Sequence, residues 1–303
     1  MIDEISTVLQ PTSLPDFVET PYIKDVTSRA LSYIKAGFPV HFRGRSGTGK
    51  STIAMHVASK LGRPVVLING NEELTNSDLI GGEYGYRYRK LVDRFVSRVL
   101  KIEEDMSKRW VDNRLVIACK YGLTLIYDEF TRSRPETNNI FLSIFQEKIL
   151  DLPAKRGEEP YLIVEPNFTA LFTSNPEEYA GVYRSQDALR DRMITMDLEY
   201  FDKETEIAIT QAKSKLSRKE AEKIVNIVRG LRDSGKCEFS PTVRGCIMIA
   251  KTFKILNISP AKTNGMHTKI YQDILVSETS RVGSKTNQGK VKEIVKELVE
   301  KYS

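Results

Sequence analysis

The chain has 303 residues, of which 40% are hydrophobic and 28% charged, and its formal net charge is +6. This length suits a large domain with a smaller one, and the composition is that of an ordinary soluble globular protein. No apolar run reaches the roughly 18 residues of a transmembrane helix, and the N-terminus lacks the basic and apolar regions of a secretory signal. Three scattered cysteines fit neither a disulfide framework nor a zinc site, which predicts reduced thiols in a cytoplasmic protein.

The N-terminal two thirds of the chain alternate between apolar runs and helical patterns. Residues 1–20 carry several prolines and are expected to form a loose lead-in, followed by a helix over Thr20–Ala36. The apolar runs are Phe38–Phe42, Val65–Ile68, Leu123–Tyr127, Phe168–Phe172 and Met193–Met196. Short runs without alternation are typical of strands covered on both faces, and helices between them are typical of βαβ crossovers. The pattern predicts an α/β domain over residues 1–200 with a parallel five-stranded sheet.

The pattern after residue 201 is helical and predicts a smaller domain over residues 201–303. The predicted helices are Phe201–Leu216, Arg218–Asp233 and Pro241–Leu256, and Ser217 with Glu220 forms a capping box for the second. One face of a last helix carries the apolar residues Val291, Ile294, Val295, Leu298 and Val299. This face could bind a partner, but we favour packing within the chain's own small domain.

A glycine-rich stretch follows the first apolar run and matches the P-loop pattern in full. Its residues are Gly44, Arg45, Ser46, Gly47, Thr48, Gly49, Lys50 and Ser51, with Thr52 directly after them. The glycines let backbone N–H groups converge on phosphate oxygens, and the following helix directs its positive dipole end at the same anion. Lys50 is expected to reach the β- and γ-phosphates and the Ser51 hydroxyl to bind Mg²⁺. The stretch therefore predicts ATP and Mg²⁺ as ligands.

Polar residues end the third and fourth apolar runs. Asp128 and Glu129 form a Walker B arrangement, in which Asp128 is expected to hold Mg²⁺ and Glu129 to act as the general base for water. Asn175 is expected to orient the water and sense the nucleotide, although an Asn before Pro176 could merely turn the chain.

Three arginines are candidates for contacts with phosphate. Arg190 and Arg192 precede the fifth run. One of them is expected to act on the nucleotide of a neighbouring subunit, and Arg192 is favoured over Arg190 for this role. The alternative is an ion pair with Asp191 or a solvated surface. Arg244 opens a helix of the small domain and is expected to contact bound nucleotide and couple it to domain movement, unless it is an ordinary surface arginine.

In this order, the P-loop, acid pair, asparagine, arginine and helical domain resemble AAA+ ATPases, most closely their MoxR branch. The resemblance implies the sheet order 5-1-4-3-2, a helical lid, and a homo-oligomeric, commonly hexameric ring. Two longer stretches, Asp128–Asn139 and Thr173–Val182 with Gln186–Leu189, resemble the gas vesicle protein N (GvpN) family. That family implies a cytoplasmic, vesicle-associated ATPase required for gas vesicle assembly, with other gas vesicle proteins as partners. A departure is Thr131, which stands where related sequences usually have Asn.

Two other functions stay open beside gas vesicle assembly. One is a MoxR-type activase of a metalloenzyme or of rubisco, and the other is a nucleotide-gated scaffold with little turnover. A DNA-linked motor is disfavoured, because the 46 basic and 40 acidic residues are interspersed and not blocked. We therefore expect neither nucleic acid nor a membrane as a partner.

Three segments outside these motifs have their own predictions. Tyr86–Val111 is long and charged for its position, and we favour a solvated lengthening over an inserted helix. Gly81–Tyr86 is rich in Gly and Tyr and is predicted either as a mobile, aromatic-tipped loop or as an ordinary turn. Pro153–Pro160 is predicted as the tip of a hairpin between Ile149–Leu152 and Tyr161–Val164.

Overall fold

The structure is a computed structural model that describes residues 8–10, 16–93, 101–153, 160–175, 183, 187–257, 265–280 and 285–302. The elements up to residue 128 are α1 (Pro21–Lys35), β1 (Val40–Gly44), α2 (Lys50–Leu61), β2 (Val65–Asn69), α3 (Asn76–Ile80), β3 (Gly81–Asp93), β4 (Lys101–Asp112), α4 (Arg114–Tyr121) and β5 (Thr124–Asp128). Those that follow are the 3₁₀ helix η1 (Phe130–Arg132), α5 (Pro135–Asn138), α6 (Ile140–Gln146), β6 (Ile149–Asp151), β7 (Tyr161–Ile163), β8 (Thr169–Ser174), α7 (Asp187–Arg190), β9 (Ile194–Leu198), α8 (Lys203–Ser214), α9 (Arg218–Asp233), α10 (Val243–Leu256), α11 (Gly265–Thr279) and α12 (Lys285–Tyr302).

The predicted five-stranded parallel sheet is present, in the order β2-β5-β8-β1-β9. Counted in chain order among these five strands alone, this is 2-3-4-1-5, which is the expected 5-1-4-3-2 from the other edge. The pairs β2–β5, β5–β8 and β1–β8 are all parallel. The carboxyl ends of paired parallel strands therefore share one edge of the sheet, where ligands bind in open α/β sheets.

The sheet core is built from continuous apolar strands, as the sequence predicts. All residues of β5 before Asp128 are buried, and β8 is buried from Ala170 to Ser174. Aromatic rings of Tyr127, Phe130 and Phe172 pack together in this core. The Tyr127 hydroxyl donates a 2.7 Å hydrogen bond to Ser133 Oγ, and burial raises the pKa of Tyr127 to about 12. The buried hydroxyl is thus satisfied, and it joins β5 to the segment after η1.

The segment between α3 and α4 corrects the sequence analysis. β3 and β4 form an antiparallel two-stranded sheet that runs from the pair Gly81–Asp112 to Asp93–Lys101, with an irregularity between Glu83 and Tyr86. Gly81–Tyr86 is therefore neither a loop nor a turn, because it begins strand β3. The described residues 86–93 and 101–111 of the longer segment form strands, so the alternative of an inserted helix is wrong for them, and the solvated lengthening stays a prediction. The residues Tyr84, Tyr86 and Tyr88 recur with the period of two that is typical of strands, with Gly85 and Arg87 between them.

The predicted hairpin between Ile149–Leu152 and Tyr161–Val164 is confirmed by the pairing of its strands. β6 and β7 pair antiparallel, with Ile149 opposite Ile163 and Asp151 opposite Tyr161. Its tip, residues 154–159, lies outside the described residues.

Four of the described helices after residue 200 were predicted, namely α8, α9, α10 and α12, whereas α11 was not. α8, α9 and α10 lie within or coincide with the predicted ranges, and Ser217 and Glu220 form the expected capping box. Val291, Val295 and Val299 of α12 are buried in a core shared with α9, α10 and α11, and Ile294 and Leu298 pack against it. This confirms that the apolar face packs within the chain. All three cysteines lie in the described part of the chain and are free thiols.

The chain divides into two compact units. Within the described residues, unit 1 holds residues 8–10 with Leu31–Arg43 and Val57–Met196, and unit 2 holds residues 16–30 with Gly44–His56 and Asp197–Ser303. The predicted domain boundary between residues 200 and 201 stays a prediction.

The edge strand β2 has a neighbour on its outer side. Leu9 and Val65 exchange two backbone hydrogen bonds of 2.8 Å in an isolated antiparallel bridge. Further along the strand, Arg114 Nη1 donates to the carbonyl of Leu67 at 3.2 Å. Polar backbone groups of the edge strand are thereby hydrogen-bonded within the chain.

Candidate functional site

The glycine-rich loop of unit 2 connects β1 to α2, as the P-loop pattern predicts. Gly47 and Gly49 have φ angles of 80° and 78°, which a side chain disfavours and glycine adopts readily. Lys50 begins α2, is 7% exposed, and donates from Nζ to the Arg45 carbonyl at 2.9 Å. Thr48 Oγ1 donates to the same carbonyl at 2.9 Å. The lysine ammonium and the N-terminus of α2 are therefore both held at the loop.

Two residues from the C-terminal part of unit 2 lie directly against these glycines. A Cβ atom on Gly47 would be 2.6 Å from the Cβ of Thr242, and one on Gly49 would be 2.8 Å from Cζ of Phe201. At either position an added Cβ would force its neighbour to shift, because real Cβ atoms essentially never approach so closely. Thr242 and Phe201 are themselves 6% and 5% exposed, so the loop is packed on both of them.

Thr242 also caps the helix that carries Arg244. Its side chain accepts from the Arg244 backbone N–H at 3.2 Å, and its own N–H and hydroxyl donate to Glu278 Oε1 at 3.0 and 2.6 Å. Glu278 is largely buried, and this desolvation raises the pKa of its carboxyl. Arg244 is exposed in the first turn of α10. The N-terminus of this helix is thus anchored beside Gly47.

The acid pair of unit 1 is ordered by a hydroxyl that sequence reasoning missed. Asp128 ends β5, and its Oδ1 accepts a 2.5 Å hydrogen bond from Thr173 Oγ1. The Glu129 backbone N–H donates to the same hydroxyl at 2.9 Å. Thr173 belongs to the neighbouring strand β8 and is completely buried. A single side chain on β8 therefore fixes both the carboxylate of Asp128 and the backbone of Glu129.

Glu129 has an unusual backbone and a cationic neighbour. Its φ of 51° lies in the left-handed region, and its main chain passes so close to Gly70 that a Cβ there would be 2.8 Å from the Glu129 carbonyl carbon. Its Oε2 accepts from Arg132 Nη1 at 2.8 Å, and this contact raises the pKa of the Arg132 guanidinium. Both side chains are well exposed, so the pair is weak and can open at small cost.

Asn175 directly follows β8 and is half-buried. The preceding residue, Ser174, has its Oγ 2.8 Å from Nε2 of His41 on β1. Nδ1 of His41 lies 3.1 Å from Thr195 Oγ1 on β9. The buried histidine thus joins three strands directly before Asn175.

The predicted arginine finger candidates lie on α7 and just after it, in unit 1. Arg190 ends α7 and is half-buried. Arg192 donates from Nε to Gln146 Oε1 at 3.0 Å and from Nη1 to the Ala188 carbonyl at 2.6 Å, with a further Nη2 contact to Gln146. These bonds hold the guanidinium of Arg192 in a defined position.

Comparison with known proteins decides the family. A family model described as AAA domain (dynein-related subfamily) matches residues 39–193, an interval that contains the P-loop, the acid pair and Asn175. Gas vesicle ATPase GvpN of Ancylobacter aquaticus is 46% identical over 271 residues, which are 89% of this chain and 76% of the relative. The chain belongs to the GvpN family of gas vesicle ATPases.

Other similarities agree with the GvpN assignment. Gas vesicle ATPase GvpN of Haloferax mediterranei is 39% identical over 267 residues, or 88% of this chain and 75% of the relative. A solved Thermotoga maritima RuvB mutant matches with a TM-score of 0.52 and 18% identity, over 88% of this chain and 73% of that one. The second likeness bears on the fold alone, and the AAA domain is shown by the family model. This GvpN-family chain is therefore an AAA+ ATPase that binds nucleotide.

The roles assigned to individual residues of this GvpN-family ATPase stay predictions. The structure brings Asp128, Glu129 and Asn175 to the ends of neighbouring strands in unit 1, and it brings the P-loop and the N-terminus of the Arg244 helix together in unit 2. Sequence reasoning did not assign roles to Thr173 or Thr242. Each is a threonine two positions before a predicted site residue, Asn175 or Arg244, and this signal is too common to stand out by itself.

The magnesium role predicted for Ser51 of unit 2 and Asp128 of unit 1 stays a prediction, and each residue is described within its own unit. Ser51 offers an exposed hydroxyl in the first turn of α2, and Asp128 offers a half-buried carboxylate. Both are hard oxygen ligands of the kind that Mg²⁺ prefers. Across the described residues, no group of three or more His, Cys, Asp and Glu side chains could hold a metal ion.

Among the helices that the structure describes, none is long and apolar enough to cross a bilayer.

Proposed function

We propose that this chain hydrolyses ATP with Mg²⁺ to remodel other gas vesicle proteins during the assembly of gas vesicles. The observation that carries the hydrolytic part is the bridge from Thr173 to Asp128 and Glu129, since it orders the two acids that hydrolysis needs. The vesicle part rests on the 46% identity to a gas vesicle ATPase over 89% of the chain.

Nucleotide binding is assigned to the P-loop and to the residues that bind its phosphates. Backbone N–H groups of Gly47–Lys50 and the ammonium of Lys50 would bind the phosphate oxygens, and the N-terminal dipole of α2 adds to this attraction. The Ser51 hydroxyl and the Asp128 carboxylate would hold Mg²⁺. When bound, this ion neutralises charge on the phosphates and keeps them in position for transfer to water.

Glu129 is assigned the general base. Its carboxylate accepts a proton from water as the water oxygen attacks the γ-phosphorus and the bond to the β–γ bridging oxygen breaks. The ion pair with Arg132 is exposed and weak, so the carboxylate can turn away from Arg132 to the water. Asn175 would hold the water by its amide.

Two arginines are assigned to coupling between the nucleotide and the assembly. Arg192 would stabilise the charge that develops during phosphoryl transfer at the nucleotide of a neighbouring copy in a homo-oligomeric ring. Lys would not replace it, because the planar fork of the guanidinium is needed. Arg244 would sense the nucleotide from the N-terminus of α10. In this proposal the ring works in the cytoplasm or on the vesicle surface, and its clients are other gas vesicle proteins.

The test is the yield of gas vesicles in cells that express the surrounding gene cluster. The strains carry the wild-type chain, no chain, Glu129→Gln, or Glu147→Gln as a matched control at an exposed carboxylate. Vesicles are counted by flotation and electron microscopy. We expect loss without the chain and with Glu129→Gln, and normal yield with Glu147→Gln.

The other outcomes contradict the proposal in different ways. Loss only in the strain without the chain would favour a nucleotide-gated scaffold with little turnover. Normal yield in every strain would remove the vesicle role and leave the activase of a metalloenzyme or rubisco as the alternative.

A further inference from the structure

Two segments of unit 2 close on the P-loop, and each is held by an arginine of α9. Phe201, which packs on Gly49, has its carbonyl oxygen bound by Arg229 Nη1 at 3.2 Å. Pro241 directly precedes Thr242, which packs on Gly47, and its carbonyl oxygen is bound by Arg232 Nε at 2.9 Å. The two arginines lie three positions apart, so they share one face of the helix.

A single buried carboxylate joins the two arginines. Glu206 of α8 is 1% exposed and accepts from Arg229 at Oε2, at 3.0 Å, and from Arg232 at Oε1, at 2.7 Å. Arg232 is also nearly buried, and its guanidinium lies 4.4 Å from the ring centroid of Tyr200. We name Glu206, Arg229 and Arg232 the arginine fork.

Helix packing alone does not account for the fork. α8 and α9 are also joined by two exposed ion pairs, Lys203–Glu222 and Arg218–Glu204. Charges taken out of water lose solvation that their mutual attraction often fails to restore, so apolar residues would hold two helices together at least as well. What the fork adds is a pair of hydrogen bonds to the segments that touch the P-loop glycines.

We propose that the arginine fork positions the P-loop for nucleotide. Glu206 orients the two guanidinium groups, these fix the carbonyls of Phe201 and Pro241, and the attached Phe201 ring and Thr242 side chain set the loop at Gly49 and Gly47. The three fork residues are positioning residues, because they act through these segments and do not touch the nucleotide. The proposal rests on the assignment of the P-loop as the nucleotide site.

The test measures nucleotide affinity of the purified full-length chain by titration with fluorescent ADP, together with KM and kcat for ATP. Arg232→Met removes the bond to Pro241, and we expect Kd and KM to rise about tenfold, the effect of one lost charge-assisted hydrogen bond. Arg218→Met is the matched control, since it breaks an exposed bond between the same two helices. It should leave Kd within about twofold.

A variant without buried charge separates positioning from stability. Glu206→Leu combined with Arg229→Met and Arg232→Met replaces the fork by apolar residues of similar length, and such replacements commonly keep or raise stability. We expect this triple variant to fold, as judged by circular dichroism and thermal melting, and to bind ADP as weakly as Arg232→Met. If the fork residues only stabilise the fold, the folded triple variant should instead bind ADP with the affinity of the wild-type chain. Partial unfolding would lower kcat with the active fraction and leave KM unchanged.

The outcomes also separate this inference from the proposed function. If the wild-type chain binds no ADP, or binds it as well with Lys50→Ala, the nucleotide site itself is wrong. The other case is that the wild-type chain binds ADP and Lys50→Ala does not. If the Kd of Arg232→Met or of the folded triple variant for ADP is then within about twofold of the wild-type Kd, the inference alone is overturned.

Discussion

Replacing Thr173 by Val tests whether its hydroxyl orders the acid pair. Valine has nearly the same shape, so the change removes the donor to Asp128 and the acceptor of the Glu129 N–H without opening a cavity. Leaving a buried polar group unpaired costs about 1–3 kcal/mol, and partial access of water at Glu129 keeps the total near 2–3 kcal/mol of unfolding free energy. If the misalignment of Asp128 and Glu129 raises the activation free energy by a similar amount, kcat falls about 10- to 100-fold. Each 1.36 kcal/mol of activation free energy changes the rate tenfold.

The assay is phosphate release at saturating ATP, with urea unfolding of the same preparation. KM should stay within about threefold, because the residues that bind the phosphates are unchanged. Thr124→Val is the matched control: Thr124 is also fully buried in the sheet, but its hydroxyl has no hydrogen-bond partner among the described residues. That change should leave kcat unaltered and stability equal or higher. A kcat for Thr173→Val within twofold of the Thr124→Val value would refute the reasoning.

Three further predictions concern the P-loop, the α10 anchor and the assembly. Gly47→Ala adds a Cβ at a φ of 80° and against the packed side chain of Thr242, so it should lower the melting temperature and abolish ADP binding. The control is Gly235→Ala, where φ is also positive but nothing lies within 4 Å of the added Cβ. This change should cost only about 1 kcal/mol of backbone strain. Burial raises the pKa of Glu278 above 4.5, so the folded state binds the proton more tightly than the unfolded state does. The free energy of unfolding therefore falls as pH rises from 4.5 through the folded pKa. Glu278→Gln should flatten this part of the pH profile measured by urea unfolding, and an unchanged slope would contradict the assignment. If Arg192 acts in trans, mixing inactive Arg192→Ala with inactive Glu129→Gln should restore some ATPase activity, and a specific activity that does not depend on protein concentration would speak against it.

The features that the sequence predicted well depend on neighbouring residues. The P-loop needs particular residue types within eight positions, and its two left-handed glycines, Gly47 and Gly49, stand where the pattern requires them. The strand β2 coincides almost completely with the apolar run Val65–Ile68, because a strand buried on both faces has to be apolar throughout. The capping box of α9 is likewise local, since it joins residues three positions apart.

The features that the sequence did not predict depend on long-range pairing. Thr173 lies 45 positions from Asp128, and it is brought to the acid pair only by the register that sets Tyr127 beside Phe172. A buried threonine has no pattern of its own that would indicate this role. The β3–β4 sheet was missed for a related reason, because its strands stabilise each other across the pair and not by a continuous apolar run.

The bridge between Leu9 and Val65 has a consequence for how the chain behaves in solution. An edge strand with free N–H and C=O groups is a template on which a second molecule can add a strand, and this is a common route to aggregation. Leu9 occupies both groups of Val65, and Arg114 covers the next outward carbonyl, that of Leu67. A fusion tag or a deletion that displaces Leu9 would therefore affect solubility before it affects catalysis.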